Sequence, residues 1–464
     1  MPFLQPWLKR HFLATGAVAL IWLIDGRIAR AGIHTAPIVL RGSQIKAAAR
    51  LPISQYRLFR TENYGKAVAI PFQIDEVDEF GDYVLGEGKQ NNGKASNGIF
   101  DLQDELAFMG DDVGPLREPT SWDGKRPPLL FEIRLALPAG NPAGPSEGAV
   151  YLAAYADTPP PVAPQRYVSF SEKLGEVMTS RYRYLFDQKN YLVLRGVDMF
   201  PPLPNGSQHV LPSVPGSPTL PKTSIPLLNS STMYLKADLK YFLTMEANQN
   251  TIESSLDAFK VGPIRAVVRV SFFYRFLRLN FELGMYTEVS FFANSVNLPA
   301  VLFNPLDGYK SLNSGSGFFY GFAMNDNPNI YHIESNMPAY APRGILDFFK
   351  KNRTEPVYWI AATTPDRLMY VEINPSKQMQ TAGAVPMLYL DNTPEADLKN
   401  RGVQAPLGLG EAPVNMALFF DLTKFKEGEH LVAFRLFFEN KNQKNLLQSF
   451  RDLGNWQIFA RPIW

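Results

Sequence analysis

Between residues 71 and 112 the chain collects eleven carboxylates: Asp75, Glu76, Asp78, Glu79, Asp82, Glu87, Asp101, Asp104, Glu105, Asp111 and Asp112. Only Lys89 and Lys94 oppose them, so the segment carries a net −9. Hard cations such as Ca²⁺ take roughly six to eight oxygen ligands from carboxylates, carbonyls and water. Closely spaced acids in a turn-rich stretch supply such ligands. Asp75, Asp78, Asp101, Asp104, Glu105, Asp111 and Asp112 are therefore the candidate set for a Ca²⁺ site. The order is not that of an EF-hand. Counted from Asp101, Leu106 stands where the sharp-turn glycine is needed and Asp112 where the closing glutamate is needed. Two other readings of the same acids stay open: a solvated acidic surface, and ion pairs with the rest of the chain.

A second group of chemically capable residues lies in "KVGPIRAVVRVSFFYRFLR", residues 260–278. Read as one strand, Val268, Val270, Phe272, Tyr274 and Phe276 share a face, and Arg265, Arg269 and Arg275 share the other. Neighbouring arginines four positions apart would sit roughly 13 Å from each other. Guanidinium groups engage carboxylates bidentately, so Arg265, Arg269 and Arg275 are candidate ligand-binding residues for an acidic polysaccharide. They would equally pair with acids on the next strand. On such a substrate a polysaccharide lyase removes a proton next to a carboxylate. It needs a neutralising cation and a base, roles open to these arginines and to Tyr274, Tyr286 or His332.

Other chemistries are thinly supplied. "LNSGSGFFYGFAMNDN" (312–327) has neither the G-x-S-x-G order nor a P-loop, and reads as a tight hairpin before an aromatic strand. His34, His209, His332 and His430 show no zinc spacing. With no cysteine in the chain, thiolate metal sites, disulfides and a cysteine nucleophile are excluded.

The elements that must position these groups read as strands. Apolar runs of five to nine residues, rich in β-branched and aromatic side chains and bounded by turn residues, recur in "PPLLFEIRLALPAG", "GAVYLAAYA", "KNYLVLRGV", "PVYWIAATT" and "HLVAFRLFFEN". Helical patterns are short: residues 344–352 and 445–454. With 38 prolines and 33 glycines as punctuation, the expected class is all-β, with two β-sandwich-type regions joined by proline-rich connectors. An N-terminal β domain is expected over 32–157, a stiff connector over 158–164, and a larger β region over 165–464. Residues 201–226, with eight prolines, form a long loop within that larger region.

The first 31 residues read as a secretory signal. Lys9, Arg10 and His11 precede the apolar run 12–24, and Ala29-Arg30-Ala31 places small residues at the cleavage positions. The run is short for a membrane-spanning helix, which needs about 20 residues, and no later segment supplies one. Removing the signal leaves 433 residues at about −1, so the mature chain outside the acidic segment is near +8. That balance gives no support for nucleic-acid binding. Export to a bacterial periplasm, cell surface or medium is the expectation.

The stretches "IPFQIDEVDEFGDYVL", "GIFDLQDELAFMGDDVG", "KVGPIRAVVRVSFFYR" and "LNSGSGFFYG" together resemble a group of exported bacterial β-sandwich proteins, themselves similar to mutarotase-like supersandwich proteins found alongside pectin and other polysaccharide breakdown. Such proteins show a "PFQ-D" strand, a "D-ELVF" stretch and a "GP-R" strand in this order. The match spans mainly 69–114 and 259–321, and implies a fold while naming no active-site residue. The functional expectation is an exported protein that binds a glycan or another envelope component without catalysis. The alternatives are a lyase on an acidic glycan and an outer-membrane β-barrel, the last suggested by the aromatic ending "NWQIFARPIW".

Overall fold

The computed structural model describes residues 36–136, 147–201, 211, 224–240, 244–248, 251–276, 279–304, 307–324, 332–336, 358–363, 367–384, 386–390, 416–439 and 457–463. Within them the chain is mostly strand, with two short α-helices, Gly308–Ser311 and Lys377–Ala382. The helical patterns at 344–352 and 445–454 lie outside the described residues, as does nearly all of the proline-rich loop 201–226.

Two large antiparallel sheets form the main sandwich. One has eight strands in the order Ile252–Val261, Arg265–Phe276, Leu279–Phe292, Ser295–Asn304, Gly428–Glu439, Leu368–Pro375, Trp359–Thr363 and His332–Ser335. The other has nine strands and runs from Met387–Leu390 through Met416–Asp421, Gly317–Met324, Ile225–Asp238, Asn190–Met199, Tyr182–Asp187 and Glu176–Thr179 to Val168–Ser171. Thr244–Asn248 pairs beside Ile225–Asp238. Alternation decides which residues enter the space between the sheets. Tyr182, Tyr184 and Phe186 point inward from one sheet and Ala266, Val268 and Val270 from the other, all in one continuous core. The expected turn before the aromatic strand is present: Gly315 has φ +93°, and Ser316 N–H donates to Asn313 O at 3.2 Å.

The N-terminal part is a smaller sandwich. Its outer layer is a six-stranded sheet ordered Gln457–Pro462, Leu129–Ala136, Glu147–Ala154, Tyr56–Thr61 and Ala67–Ile70, with Gly114–Pro115 paired to Glu147–Ala154. Its inner layer has three strands: Pro37–Arg41, Glu105–Met109 and Gln73–Asp75. Glu105–Met109 is buried along its whole length because both of its faces are covered. Leu106 and Phe108 pack towards the six-stranded sheet. Ala107 and Met109 pack on Ile264, Phe292 and Ala293 of the large sandwich. The three-stranded sheet is thus the middle layer between two bodies.

None of the sheets closes on itself among the described residues, so the β-barrel alternative is not the architecture found. The aromatic ending supplies Gln457–Pro462, an edge strand that returns to the N-terminal sandwich and pairs with Leu129–Ala136. The sequence reading had grouped it with the larger region. No helix among the described residues is long and apolar enough to cross a membrane. Deleting residues 457–464 should speed amide hydrogen exchange in 131–135 while leaving Val268 and Val270 protected. Unchanged exchange in 131–135 would show that this strand does not support the small sandwich.

Candidate functional site

The acidic strand residues and the first arginine meet in one buried cluster. Ile74 faces the small core, so its neighbours Gln73 and Asp75 face the opposite way, toward the large sandwich. In the antiparallel register Asp75 lies directly across from Glu105. Two carboxylates facing each other in a sheet repel. Arg265 sits between them, with Nε 2.8 Å from Asp75 and Nη2 2.8 Å from Glu105. Lys260 Nζ reaches the other oxygen of Asp75 at 2.8 Å. The Tyr83 hydroxyl donates to Glu105 at 2.6 Å, and the rings of Tyr83 and Phe292 lie 4.8 Å and 5.7 Å from the guanidinium carbon.

The amide of Gln73 completes the cluster. Its Nε2 donates to both oxygens of Asp75 at 2.9 Å, and its Oε1 accepts from the backbone of Ile264 and Arg265 at 3.2 Å and 3.0 Å. Gly262 is required by this contact, since a Cβ there would lie 1.9 Å from Gln73 Oε1. The side chains of Arg265 and Asp75 are 2% and 1% exposed. Burial alone would raise the Asp75 carboxyl, but Arg265 and Lys260 hold it down at about 2. Removing one member of such a set leaves an uncompensated charge, at a cost of about 3–5 kcal/mol.

Arg269, four positions on, is held in the same manner. Its Nε and Nη2 lie 2.9 Å and 2.6 Å from Glu288, and Nη2 also donates to Tyr83 O at 2.9 Å. Tyr286 packs its ring 5.3 Å from this guanidinium and donates its hydroxyl to Asp82. The structure therefore brings Arg269 and Tyr286 together, as the lyase reading requires, but each already has a carboxylate partner. Burial pushes Glu288 up to about 7 against the pull of Arg269. The side chains of Arg275, Tyr274 and His332 lie outside the described residues. Of the two alternatives for the arginine row, Arg265 and Arg269 take the paired one, Arg269 with Glu288 on the next strand. The face of their strand is covered by the 76–92 excursion, where Leu85 and Tyr83 pack on Val267.

The remaining acids are also engaged by the chain. Asp78 accepts from the backbone of Phe80 and Asp82 at 3.0 Å and 3.1 Å, closing its own turn. Asp104 accepts from Val77 and Asp101 N–H at 2.9 Å and 2.6 Å, and Asp101 accepts from Asn97 at 2.8 Å. Asp111 pairs with Arg181 at 3.2 Å, and Arg181 also pairs with Glu439. Both oxygens of Asp112 lie 2.9 Å from the Tyr167 hydroxyl. Burial raises Asp104 and Asp112 to about 6 each. Among the described residues no three acids or histidines gather in a metal-binding arrangement.

An open cleft of about 560 Å³ lies beside this seam. The 87–92 loop crosses to the edge strand Ile252–Val261, where Glu87 and Phe259 exchange backbone hydrogen bonds at 3.1 Å and 2.8 Å. Lys89 and Gln90 of that loop line the cleft. Glu172, Lys173, Gln188 and Tyr191 line it from the nine-stranded sheet and its turns, and Ser254–Asp257 from the edge strand. Asp257 is 4% exposed and accepts from Ser271, from Ser255 at 3.1 Å and from Gln90 at 3.3 Å. No sequence pattern marks Lys260, Glu288, Arg181 or the cleft residues as site residues, and Lys89 stands out in the sequence only as a counter-charge of the acidic segment. The one available signal was the charge complement between the segment at −9 and the remainder near +8.

No protein-family model matches the chain, and no curated protein matches it. Solved structures do match. A protein in glycosyl hydrolase family 38 from Enterococcus faecalis is 8% identical, over 92% of this chain and 46% of that one, with a TM-score of 0.36. An alpha-mannosidase from Enterococcus faecalis V583 is 10% identical over 94% and 47%, with a TM-score of 0.34. A bacterial glucoamylase complexed with acarbose is 10% identical over 62% and 34%, with a TM-score of 0.28. The chain spans less than half the length of each of these three.

The seam carboxyls make a pH prediction. A carboxyl that binds its proton more tightly when folded favours the folded state as pH falls. Glu288 does so between its ordinary 4.5 and about 7, and Asp104 and Asp112 between 3.8 and about 6. Asp75 acts oppositely, its contribution being lost only as pH falls from 3.8 through about 2. The melting temperature should therefore rise as pH is lowered through the 7-to-4.5 window, and Glu288→Gln should flatten the upper part of that rise. An unaltered slope in the variant would place the pH dependence elsewhere. Because the acids are held by the chain's own donors, Ca²⁺ added after chelation should leave the melting temperature unchanged. A saturable increase, lost in Asp101→Ala or Asp104→Ala, would restore the cation reading.

Proposed function

We propose that the chain is an exported glycan-binding protein that holds a carboxylate-bearing sugar chain in the junction cleft without turning it over. One observation carries the reading: Lys89, from the N-terminal excursion, and Lys173, from the large sandwich, line the same open cleft, and among the described residues neither is paired with a carboxylate. The lining sets these two lysines against Glu172 and Asp257; with Asp257 buried and held by the chain's own donors, the exposed balance is one cation in excess, which favours an anionic ligand with a benefit that falls as salt screens it. Tyr191 adds a half-buried ring, packed 5.2 Å from Phe186, against which the apolar face of a sugar can rest. Gln90 and Gln188 bring carboxamides for hydroxyl groups. Asp257 already accepts three hydrogen bonds from the chain, so it shapes the cleft more than it repels an anion.

Binding is favoured over lyase chemistry by the state of the groups a lyase would use. Arg269 is neutralised by Glu288. Burial and the Asp82 carboxylate both raise the pKa of the Tyr286 hydroxyl, so it keeps its proton and is a poor base.

Calorimetry with oligogalacturonate and with an uncharged oligosaccharide of equal length tests the proposal. Uronate binding should weaken about tenfold or more, roughly 1.4 kcal/mol, in Lys89→Ala/Lys173→Ala. It should also weaken with added salt, and ultraviolet absorbance from unsaturated product should not rise. Equal binding of the uncharged oligomer would remove the anionic class, and a steady absorbance rise would make the protein a lyase.

A further inference from the structure

The segment that carries Lys89 is not part of the body that carries the rest of the cleft. It belongs to the 76–104 excursion of the N-terminal sandwich, laid across the large sandwich. Its hold on the edge strand is short and specific. Glu87 and Phe259 exchange two backbone hydrogen bonds, and Gln90 N–H donates to Asp257 O at 2.8 Å. Between them Gly88, at φ +101°, brings its backbone against Asp257 and Ala258. A Cβ there would stand 2.5 Å from Asp257 O and 2.6 Å from Ala258 Cα. These bonds also seal the outer edge of the eight-stranded sheet, which would otherwise offer unpaired donors and acceptors. The residue just after this contact glycine is the cleft lysine.

Resting on the proposed glycan reading, we infer that ligand binding in the cleft and docking of the 87–90 loop on the Ile252–Val261 strand are one coupled equilibrium. Lys173, Tyr191 and Ser254–Asp257 are present whether or not the loop is docked, whereas Lys89 and Gln90 line the cleft with them only in the docked state. A uronate chain that touches both sets therefore binds the docked state better. By reciprocity it must favour docking by the same factor that docking favours it. The excursion that carries the loop is anchored at both ends in the middle-layer sheet, next to Asp75 and Glu105, the two acids clasped by Arg265.

Amide hydrogen exchange and calorimetry on the full chain, with oligogalacturonate as the probe, test this. In the wild type, ligand should slow exchange at Glu87, Gln90 and Phe259. Gly88→Ala, which removes no cleft side chain, should speed exchange at those amides without ligand and weaken binding roughly tenfold. Lys89→Ala should weaken binding while leaving ligand-free exchange as in the wild type. If Gly88→Ala does not fold, Glu87→Pro takes its place: it removes the donor to Phe259 O while leaving every cleft side chain in place, and exchange is then read at Gln90 and Phe259. A loosened loop with wild-type affinity overturns the coupling and leaves the cleft reading standing. A wild-type chain that binds neither oligogalacturonate nor the uncharged oligomer overturns the reading, and the coupling with it.

Discussion

One guanidinium holds this molecule's two bodies in register. Asp75 and Glu105 are neighbours across a sheet and would repel, and Arg265 is the charge that lets them stand side by side away from water. Desolvating three charged groups is costly, and what offsets the cost is geometry: each guanidinium contact is 2.8 Å, Gln73 and Lys260 add contacts to Asp75, and Tyr83 adds a second donor to the Glu105 oxygen that Arg265 holds. An apolar contact would tolerate sliding between the layers. A buried, mutually paired ion cluster does not, because any shift leaves a charge unpaired. The docking surface around it is apolar, with Ala107 and Met109 against Ile264, Phe292 and Ala293, and supplies area without direction. The ion cluster supplies the direction.

The residues that carry the resemblance noted in the sequence acquire a physical meaning here. The glutamine and aspartate of "PFQID", the glutamate of "DELAF", and the glycine and arginine of "GPIR" are the cluster itself. Together they make a joint. What they share is a requirement of packing; the cleft proposed for a glycan is a separate feature, where loop 87–92 crosses the edge strand.

Much of this was legible in the sequence and some was not, for identifiable reasons. Strands were legible from short apolar runs between turn residues: those in "PPLLFEIRLALPAG" and "HLVAFRLFFEN" fall on the strands Leu129–Ala136 and Gly428–Glu439. The arginine face of the Arg265–Phe276 strand was read with the right period, but a polar strand face looks the same in sequence whether solvent, ligand or another layer covers it. The acidic concentration was plain, yet Asp75 and Arg265 are 190 positions apart, and charge spacing carries no information about contacts at that separation. The cleft was invisible because its lining comes from separate strands and loops, none with a motif of its own. The strand Gln457–Pro462 was misplaced because its pairing with Leu129–Ala136 depends on which edge was vacant, a property of the assembled sheet.

The central claim is that Arg265 and the two acids act as a unit, and a double-mutant cycle on the full chain tests it most directly. Unfolding free energies of Arg265→Met, Asp75→Asn/Glu105→Gln and the combined variant are compared at neutral pH. The account predicts that Arg265→Met alone costs about 3–5 kcal/mol, and that removing the acids as well returns much of that loss, because no buried charge is then left unpaired. Losses that simply add would contradict it, and would mean that the seam is held by its apolar contacts with the ions as bystanders.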